Sequence, residues 1–214
     1  MIARSHSVRG EVTLSRRRGE LELRVNGTFV MDTAHTASER ALAQVALDVC
    51  STPDRVLIGG LGLGLTTEQV LTDPRVRQVR VVEIEEALVG WMRDGTIAHG
   101  PQLLADPRVR VQVDDLLVYL SLTEPNSYEV VLLDVDNGPG QLVHLTNAAL
   151  YDRTGLTLLR RVLTIGGTLV IWSAHRAPQL VRELQATVGS VRTLQVPVRL
   201  DGRAEHYWLY AATR

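Results

Sequence analysis

The first part of the chain alternates short apolar and polar runs. Between residues 11 and 31 these runs are interrupted at Arg18-Gly19-Glu20 and at Asn26-Gly27, and Asn-Gly is a strong signal for a tight hairpin turn. Alternation with turn residues between the runs is typical of antiparallel strands that bury one face. The pattern therefore predicts a small β-meander at the N-terminus.

The second part begins with a helix and continues as an α/β pattern. Thr36 and Glu39 have capping-box spacing, and Ala, Leu and Val dominate residues 40–49. From residue 55 onward, runs rich in Val and Ile alternate with helical patterns, which indicates strands buried on both faces of a parallel sheet. The predicted strands are residues 56–59, 79–84, 109–113, 130–134 and 168–172.

The last part predicts an antiparallel hairpin. Residues 191–198 and 206–212 are separated by Asp201-Gly202-Arg203, a connection that is too short for a crossover helix. A parallel sheet that ends in such a hairpin suits a class I S-adenosylmethionine-dependent methyltransferase-like Rossmann fold better than a nicotinamide dehydrogenase. We expect an α/β protein with a β-meander over residues 1–35 and a Rossmann-like, S-adenosyl-nucleotide-binding domain over residues 36–214.

Composition narrows the class of ligand. The chain has 214 residues, 45% of them hydrophobic, and a formal net charge of -1, which fits one globular domain and argues against a nucleic-acid partner. No apolar run approaches the roughly 18 residues of a membrane span and no signal peptide is evident, so we expect a cytoplasmic protein that acts on a small molecule. Cys50 is the only cysteine and is expected in the core, and the six histidines lack metal-binding spacing, so no metal is expected.

A glycine-rich loop follows the first predicted parallel strand and leads into a helix at about residue 67. Gly60, Gly62 and Gly64 let the backbone turn sharply and approach a ligand near the positive end of that helix. A purely structural turn is the alternative explanation. The spacing G-x-G-x-G, with Leu65 where a dinucleotide fingerprint has a small residue, argues against NAD.

Acidic residues end the next two strands. Glu83 lies about 20 residues beyond the glycine loop, where an acid accepts hydrogen bonds from both ribose hydroxyls. Asp114 is the candidate acceptor for an adenine amino group, and Asp115 is a second candidate or the cap of the helix that begins at Leu116. Glu85 and Glu86 are interpreted as solvated acids that open a helix. These features together predict a site for an adenosine.

The fourth strand runs into a polar loop, Asp134-Val135-Asp136-Asn137 followed by Gly-Pro-Gly. Substrates of doubly wound domains bind at such strand ends, so Asp134, Asp136 and Asn137 are the catalytic candidates. Each of them is also an ordinary turn former.

Other polar groups have equally plausible structural roles. His175 is a candidate base or a plain loop histidine, and Asp32 and His35 could form a lid or a linking turn. Tyr207 and Trp208 are expected to pack on opposite sides of the hairpin.

Several segments resemble the spermidine synthase family of polyamine aminopropyltransferases over roughly residues 21–172. They are Val56-Leu57-Ile58-Gly59-Gly60-Leu61-Gly62-Leu63-Gly64, Val81-Val82-Glu83-Ile84, Asp106-Pro107-Arg108-Val109, Leu150-Tyr151-Asp152-Arg153 and Gly166-Gly167-Thr168-Leu169. The resemblance implies a small N-terminal β domain beside a Rossmann-like domain, a homodimer, and decarboxylated S-adenosylmethionine as donor.

The chain departs from the family pattern where the acceptor is expected. Leu63 stands in place of the glycine-loop acid that holds the aminopropyl amine, and Asn137 falls on the position of the catalytic acid unless Asp136 serves there. A Tyr-His pair is replaced around Ser38, and an aromatic pair is replaced by Gly155-Leu156. An amide cannot act as a general base, so strict conversion of putrescine to spermidine is not expected.

We therefore expect a transferase that uses S-adenosylmethionine or its decarboxylated form and moves an aminopropyl or methyl group to a small acceptor such as an amine. The alternatives are an S-adenosylmethionine-dependent methyltransferase and a homologue that binds the nucleotide without catalysis. A nicotinamide oxidoreductase is disfavoured.

Overall fold

The structure is a computed structural model that describes residues 1–135, 137–140, 142, 145–200 and 203–214. The catalytic candidate Asp136 and the hairpin residues Asp201 and Gly202 lie outside the described residues.

The N-terminal part is a four-stranded antiparallel sheet, which confirms the predicted meander. Asn26 and Gly27 both have positive φ, as the hairpin signal requires. Leu21, Leu23 and Val25 are buried, as the alternation predicts. One strand precedes the predicted meander. In order across the sheet, the strands are β1 (Ala3–Ser7), β2 (Gly10–Arg17), β3 (Glu20–Val25) and β4 (Thr28–Asp32).

Helix α1 (Ala37–Val49) begins where the capping signal predicts, but the capping box is not formed. Thr36 has a helical backbone conformation (φ -102°, ψ 0°) rather than the extended one that aims a cap hydroxyl at the first turn, and its side chain makes no capping bond. Glu39 is buried, and its Oε2 accepts a hydrogen bond of 2.8 Å from Ser38 Oγ. Cys50 is buried at the end of α1, as expected.

The main sheet has seven strands. They are β5 (Arg55–Gly59), β6 (Gln78–Glu83), β7 (Val109–Val113), β8 (Tyr128–Leu133), β9 (Leu163–Ser173), β10 (Ser190–Leu200) and β11 (Arg203–Thr213). Their order across the sheet is β10-β11-β9-β8-β5-β6-β7. The five strands from β9 to β7 run parallel, and β10 and β11 add the antiparallel hairpin, so the predicted fold class is confirmed.

Helices cover both faces of this sheet. They are α2 (Leu65–Leu71), α3 (Glu86–Arg93), α4 (Gly100–Leu104), α5 (Leu116–Leu122), α6 (Ala148–Tyr151), α7 (Arg153–Val162) and α8 (Pro178–Thr187), with a 3-10 turn at Leu145–Asn147. Two hydrophobic clusters result. The first joins the N-terminal sheet to α1 and one face of the main sheet, and the second lies under α5, α7 and α8. Tyr207 packs with the first and Trp208 with the second, so their predicted opposite orientation is confirmed.

The N-terminal sheet and the main sheet share one core, because Leu23 and Met31 belong to the same cluster as Leu63 and Ile58. The division at residue 35 stays a prediction. Strand order reverses between β5 and β8, which creates the crevice where doubly wound domains bind ligands.

Candidate functional site

A cavity of about 1070 Å³, counting the space at its open mouth, lies at the carboxyl edge of the parallel strands. The N-terminal sheet forms one wall, which is apolar. Its lining residues there are Val12, Leu23, Val25, Val30 and Met31. The rest follows the strand order, with Trp172 from β9, Asp134 after β8, Gly60 after β5, Glu83 from β6 and Asp114 after β7. We call the part near Glu83 and Asp114 the β6–β7 half, and the part near Asp134 and Trp172 the β8–β9 half.

The glycine loop joins the two halves. Gly60 has φ +92°, and a Cβ there would stand 2.3 Å from the backbone oxygen of Asp134. A Cβ on Gly62 would stand 2.6 Å from Met31 Sδ, so this glycine makes room for the N-terminal sheet. Gly64 is at the start of α2, where a Cβ would meet Leu103, and it is outside the cavity lining. Two of the three predicted glycines therefore line the cavity.

Glu83 holds the glycine loop through hydrogen bonds to the backbone. Its Oε2 accepts a hydrogen bond from Leu61 N and its Oε1 accepts one from Glu85 N, both at 2.8 Å. Glu83 is 7% exposed, and burial raises its pKa while these two amide bonds oppose the rise. The carboxylate therefore fixes the shape of the glycine loop and also lines the cavity.

Glu85 corrects an expectation from the sequence. It precedes α3 as predicted, but it is 5% exposed and lines the cavity, because its backbone amide donates to Glu83 and keeps it at the end of β6. Its Oε1 has no hydrogen-bond partner among the described residues. Glu86 is exposed, as expected.

Asp114 and Asp115 both line the β6–β7 half. Asp115 caps α5, because Oδ1 accepts from Leu117 N at 2.8 Å and from Val118 N at 3.4 Å. Asp114 accepts from Gln112 Nε2 and from Asp115 N. The cap is thus the firmly observed function of Asp115.

Asp134 occupies the β8–β9 half. Its Oδ2 accepts a hydrogen bond of 2.6 Å from Thr66 Oγ1 at the start of α2. Burial raises the pKa of Asp134 to about 6, although the threonine bond opposes the rise.

Glu39 is an acid of the cavity lining that was not among the site candidates from the sequence. It is 7% exposed, and burial, followed by the charge of Asp134, raises its pKa to about 7. A signal was present, since Glu39 shares a helix face with Leu42, Ala43 and Ala46 at spacings of three, four and seven. An acid on an apolar stripe needs a partner or a function.

Trp172 completes the β8–β9 half. It is 7% exposed and lines the cavity, and its Nε1 has no hydrogen-bond partner among the described residues. Its ring packs against Tyr207, with ring centroids 4.8 Å apart.

Asn137 is outside the cavity lining. Its Nδ2 donates to Phe29 O at 3.4 Å and its backbone oxygen accepts from Ala174 N, so it ties the loop after β8 to β4 and β9. Leu63 is fully buried, and His99 Nε2 lies 2.7 Å from its carbonyl oxygen. Neither residue supplies an acid to the cavity.

The remaining candidates are also outside the lining. His175 is exposed, and its carbonyl oxygen accepts from Ser173 Oγ. Asp32 and His35 form a local turn in which Asp32 Oδ1 accepts from His35 N at 2.8 Å. The predicted lid stays a prediction.

The charged side chains of the described cavity lining are all acidic. This lining contains six acids and no lysine, arginine or histidine; the acids are Glu39, Glu83, Glu85, Asp114, Asp115 and Asp134. Such a lining favours a cationic ligand and disfavours an anionic one. Among the described residues no group of His, Cys, Asp and Glu has the arrangement of a metal site, and no helix is long and apolar enough to cross a membrane.

The chain is similar in sequence to known aminopropyltransferases. The sequence model of the spermine/spermidine synthase domain matches residues 35–198. A polyamine aminopropyltransferase 2 of Pseudomonas aeruginosa is 34% identical over 134 residues, which is 61% of this chain and 36% of that protein. A polyamine aminopropyltransferase of Mycobacterium tuberculosis is 24% identical over the whole chain, which spans 41% of that protein. The chain thus spans well under half the length of these relatives.

Solved structures with the same fold carry related names. A spermidine synthase in complex with the transition state analogue AdoDATO superposes with a TM-score of 0.83 at 15% identity, covering 99% of this chain and 73% of that one. A spermidine synthase from Thermotoga maritima gives 0.80 at 15% identity, covering 99% and 72%. At this identity the likeness shows the fold.

Proposed function

The chain belongs to the spermine/spermidine synthase family, and from that premise we propose that it transfers an aminopropyl group from decarboxylated S-adenosylmethionine to a small amine. The observation that carries the proposal is the acidic cavity at the switch point of the sheet. A sulfonium donor is permanently cationic and an amine substrate is cationic before it reacts, so both complement such a lining.

We assign the β6–β7 half to the adenosyl part of the donor. In this assignment Gly60 and Gly62 allow close approach of the ligand, the buried Glu83 accepts bonds from ribose hydroxyls, and Asp114 accepts one from the adenine amino group. The reactive sulfonium then faces Asp134 in the β8–β9 half.

The absence of a cation among the described lining residues favours the decarboxylated donor. The carboxylate of ordinary S-adenosylmethionine would enter a cavity that already holds six acids, and a buried anion without a partner is strongly unfavourable. Methyl transfer from S-adenosylmethionine is therefore the second choice, and binding without turnover is the third.

We further propose that the acceptor is an amine other than putrescine. The N-terminal sheet contributes apolar side chains to the cavity, and Leu63 and Asn137 do not supply acids to it. The second ammonium of putrescine would lose hydration against such a wall, whereas an apolar chain would gain from it. The predicted cytoplasmic location and homodimer stay predictions.

The test has two stages. Calorimetric titration with S-adenosylmethionine, its decarboxylated form, 5′-methylthioadenosine and NAD identifies the nucleotide, and we expect the decarboxylated donor to bind more tightly than S-adenosylmethionine and NAD not to bind. The protein is then incubated with the donor and a panel of amines, and methylthioadenosine is measured by chromatography. Turnover with a monoamine and little with putrescine is expected. Robust spermidine formation would overturn the proposal that the acceptor differs from putrescine. Donor binding without turnover of the donor with any amine would overturn the proposed transferase activity.

A further inference from the structure

We propose that Glu39 is the residue that binds the acceptor's amino group and takes its proton, with Asp134 as its partner. This inference rests on the proposed function and adds to it a catalytic residue from α1. In the family pattern, one acid holds the aminopropyl amine and a second is catalytic. The matching positions here carry Leu63 and, unless Asp136 serves there, Asn137, and neither Leu63 nor Asn137 lines the cavity.

The position of Glu39 supports this role. Helix α1 packs on β8 and β9. The face of α1 that makes these contacts is therefore near the strand ends that carry Asp134 and Trp172. Glu39 is the acid on that face, it lines the cavity, and one of its oxygens is oriented by the hydroxyl of Ser38. The carboxylate is therefore held in place inside the β8–β9 half.

A second observation points independently to a ligand in this half. Trp172 lines it, is more than nine-tenths buried, and has an indole N–H without a partner among the described residues. A buried donor of this kind is costly unless a bound molecule satisfies it. The aromatic ring beside two carboxylates also suits an ammonium group.

Burial and the acids around it favour the protonated form of Glu39. Asp134 after β8 and Asp32 at the end of β4 are both acids, and the pKa of Tyr207 on β11 is raised by burial and then by the charge of Glu39. Burial and Asp134 together raise the pKa of Glu39 to about 7, against about 6 for Asp134. A base with a pKa near the working pH is well matched to proton transfer.

Protons, bonds and charges are all accounted for in the proposed step. The bound ammonium of the acceptor first gives one proton to the carboxylate of Glu39, which later releases it to solvent. The lone pair of the resulting neutral amine attacks the aminopropyl carbon that is bonded to sulfur, a C–N bond forms, and the C–S bond breaks. The electrons of the broken bond stay on sulfur, which becomes the neutral thioether of methylthioadenosine, and the product nitrogen keeps its positive charge as a substituted ammonium.

The experiment compares Glu39→Gln, Glu39→Asp and the control Glu68→Gln. Glu68 on α2 is exposed and pairs with Arg40 on α1, the helix that carries Glu39, so its change perturbs α1 without touching the cavity. We measure binding of decarboxylated S-adenosylmethionine, binding of n-butylamine to the protein saturated with methylthioadenosine, and turnover of the donor with n-butylamine between pH 6 and 9.

For Glu39→Gln we expect nearly unchanged donor affinity, loss of n-butylamine binding, and a fall in kcat of about 100- to 10,000-fold. The wild-type rate should rise with pH through about 7, where Glu39 loses its proton, and this dependence should be absent from the Gln variant. Glu39→Asp should recover part of the rate, and Glu68→Gln should behave as wild type.

The failures are distinguishable. Wild-type turnover that survives Glu39→Gln overturns the role of Glu39 and leaves the transferase intact. Loss of donor binding in the Gln variant shows that Glu39 serves the donor, which also overturns the inference. If the wild-type protein binds n-butylamine through Glu39 but never turns over the donor, the proposed amine site is supported and the proposed transferase activity is contradicted. If the wild-type protein binds no amine, the inference about Glu39 is contradicted.

Discussion

The two halves of the cavity both carry buried carboxylates, but different groups hold them. In the β6–β7 half, the buried Glu83 accepts bonds from two backbone amides, and the partly exposed Asp114 accepts one from a backbone amide and one from the Gln112 side chain. In the β8–β9 half, side-chain hydroxyls donate to both acids, from Ser38 to Glu39 and from Thr66 to Asp134.

Under the proposed function, this difference distinguishes the half that binds the nucleotide from the half that exchanges protons. Backbone amides are fixed donors that favour a charged carboxylate, and the same bonds set the shape of the glycine loop. A hydroxyl can rotate and can accept as well as donate, so it tolerates a carboxyl group that gains or loses a proton. The pKa values of about 7 for Glu39 and about 6 for Asp134 are consistent with proton exchange at the second half.

The largest effect should come from Gly60→Ala, because Gly60 joins the two halves. Alanine would be forced into positive φ and its Cβ would overlap the backbone oxygen of Asp134. Adding a left-handed backbone cost to a backbone clash gives a loss of about 4 kcal/mol in the free energy of unfolding. Urea denaturation measures it. Gly90→Ala in α3, where a Cβ meets nothing within 4 Å, is the matched control and should be neutral or stabilising. Equal stability of the two variants would contradict the close approach.

The next effect concerns the β8–β9 half alone. The pKa of Glu39 is about 7 in the folded protein and near 4.5 in an unperturbed glutamate, so the folded state binds more protons between these values and stability falls as the pH rises through them. Glu39→Gln removes this penalty. We expect the variant to be more stable by about 3 kcal/mol at pH 8.

The pH dependence identifies the cause of that gain. The difference between wild type and Glu39→Gln should shrink below pH 7 and vanish below about 4.5, where glutamate is protonated in both states. Glu68→Gln, at a half-exposed position outside the cavity, is the matched control. A Gln variant that is less stable than wild type at pH 8 would show that the charge of Glu39 has a stabilising partner.

A third test addresses the β6–β7 half. Glu83→Ala should weaken binding of methylthioadenosine by about 1 to 3 kcal/mol, because the ribose hydroxyls lose a charged acceptor and the amide of Leu61 loses its partner. Titration calorimetry measures the change. Glu86→Ala removes an exposed acid three residues later and should leave the affinity unchanged. Unchanged affinity in a folded Glu83→Ala protein would remove the ribose assignment.

Much of the β6–β7 half could be predicted from the sequence because its contacts are local. Each acid ends a strand, and the carboxyl ends of parallel strands meet at one edge of the sheet, so Glu83 and Asp114 were expected beside Gly60. Runs of Val and Ile likewise predict the parallel strands, and the short connection near residue 201 predicts the hairpin.

The β8–β9 half depends on contacts between distant segments. Glu39 reaches it through the packing of α1 on β8 and β9, and Met31 reaches the glycine loop through the N-terminal sheet. The spacing from Thr36 suggests a capping role for Glu39, but Glu39 lies on the buried face of α1, which packs on the main sheet, and makes no capping box. Asn137 has the position of a catalytic residue in the pattern, but its amide reaches the backbone of Phe29, which is 108 residues away in sequence.

The smallest effect should be at Asp114, and it tests base recognition within the β6–β7 half. Asp114 is partly exposed, and its oxygens already accept bonds from Gln112 and from the amide of Asp115, so an adenine amino group would add one further bond worth about 1 kcal/mol. Wild type should therefore bind methylthioadenosine about five- to tenfold more tightly than 5′-methylthioinosine, which has a carbonyl in place of that amino group, and Asp114→Ala should lose the preference. Asp115→Asn is the informative neighbour, because asparagine can still cap α5. If Asp115→Asn rather than Asp114→Ala removes the preference, the acceptor for adenine is Asp115.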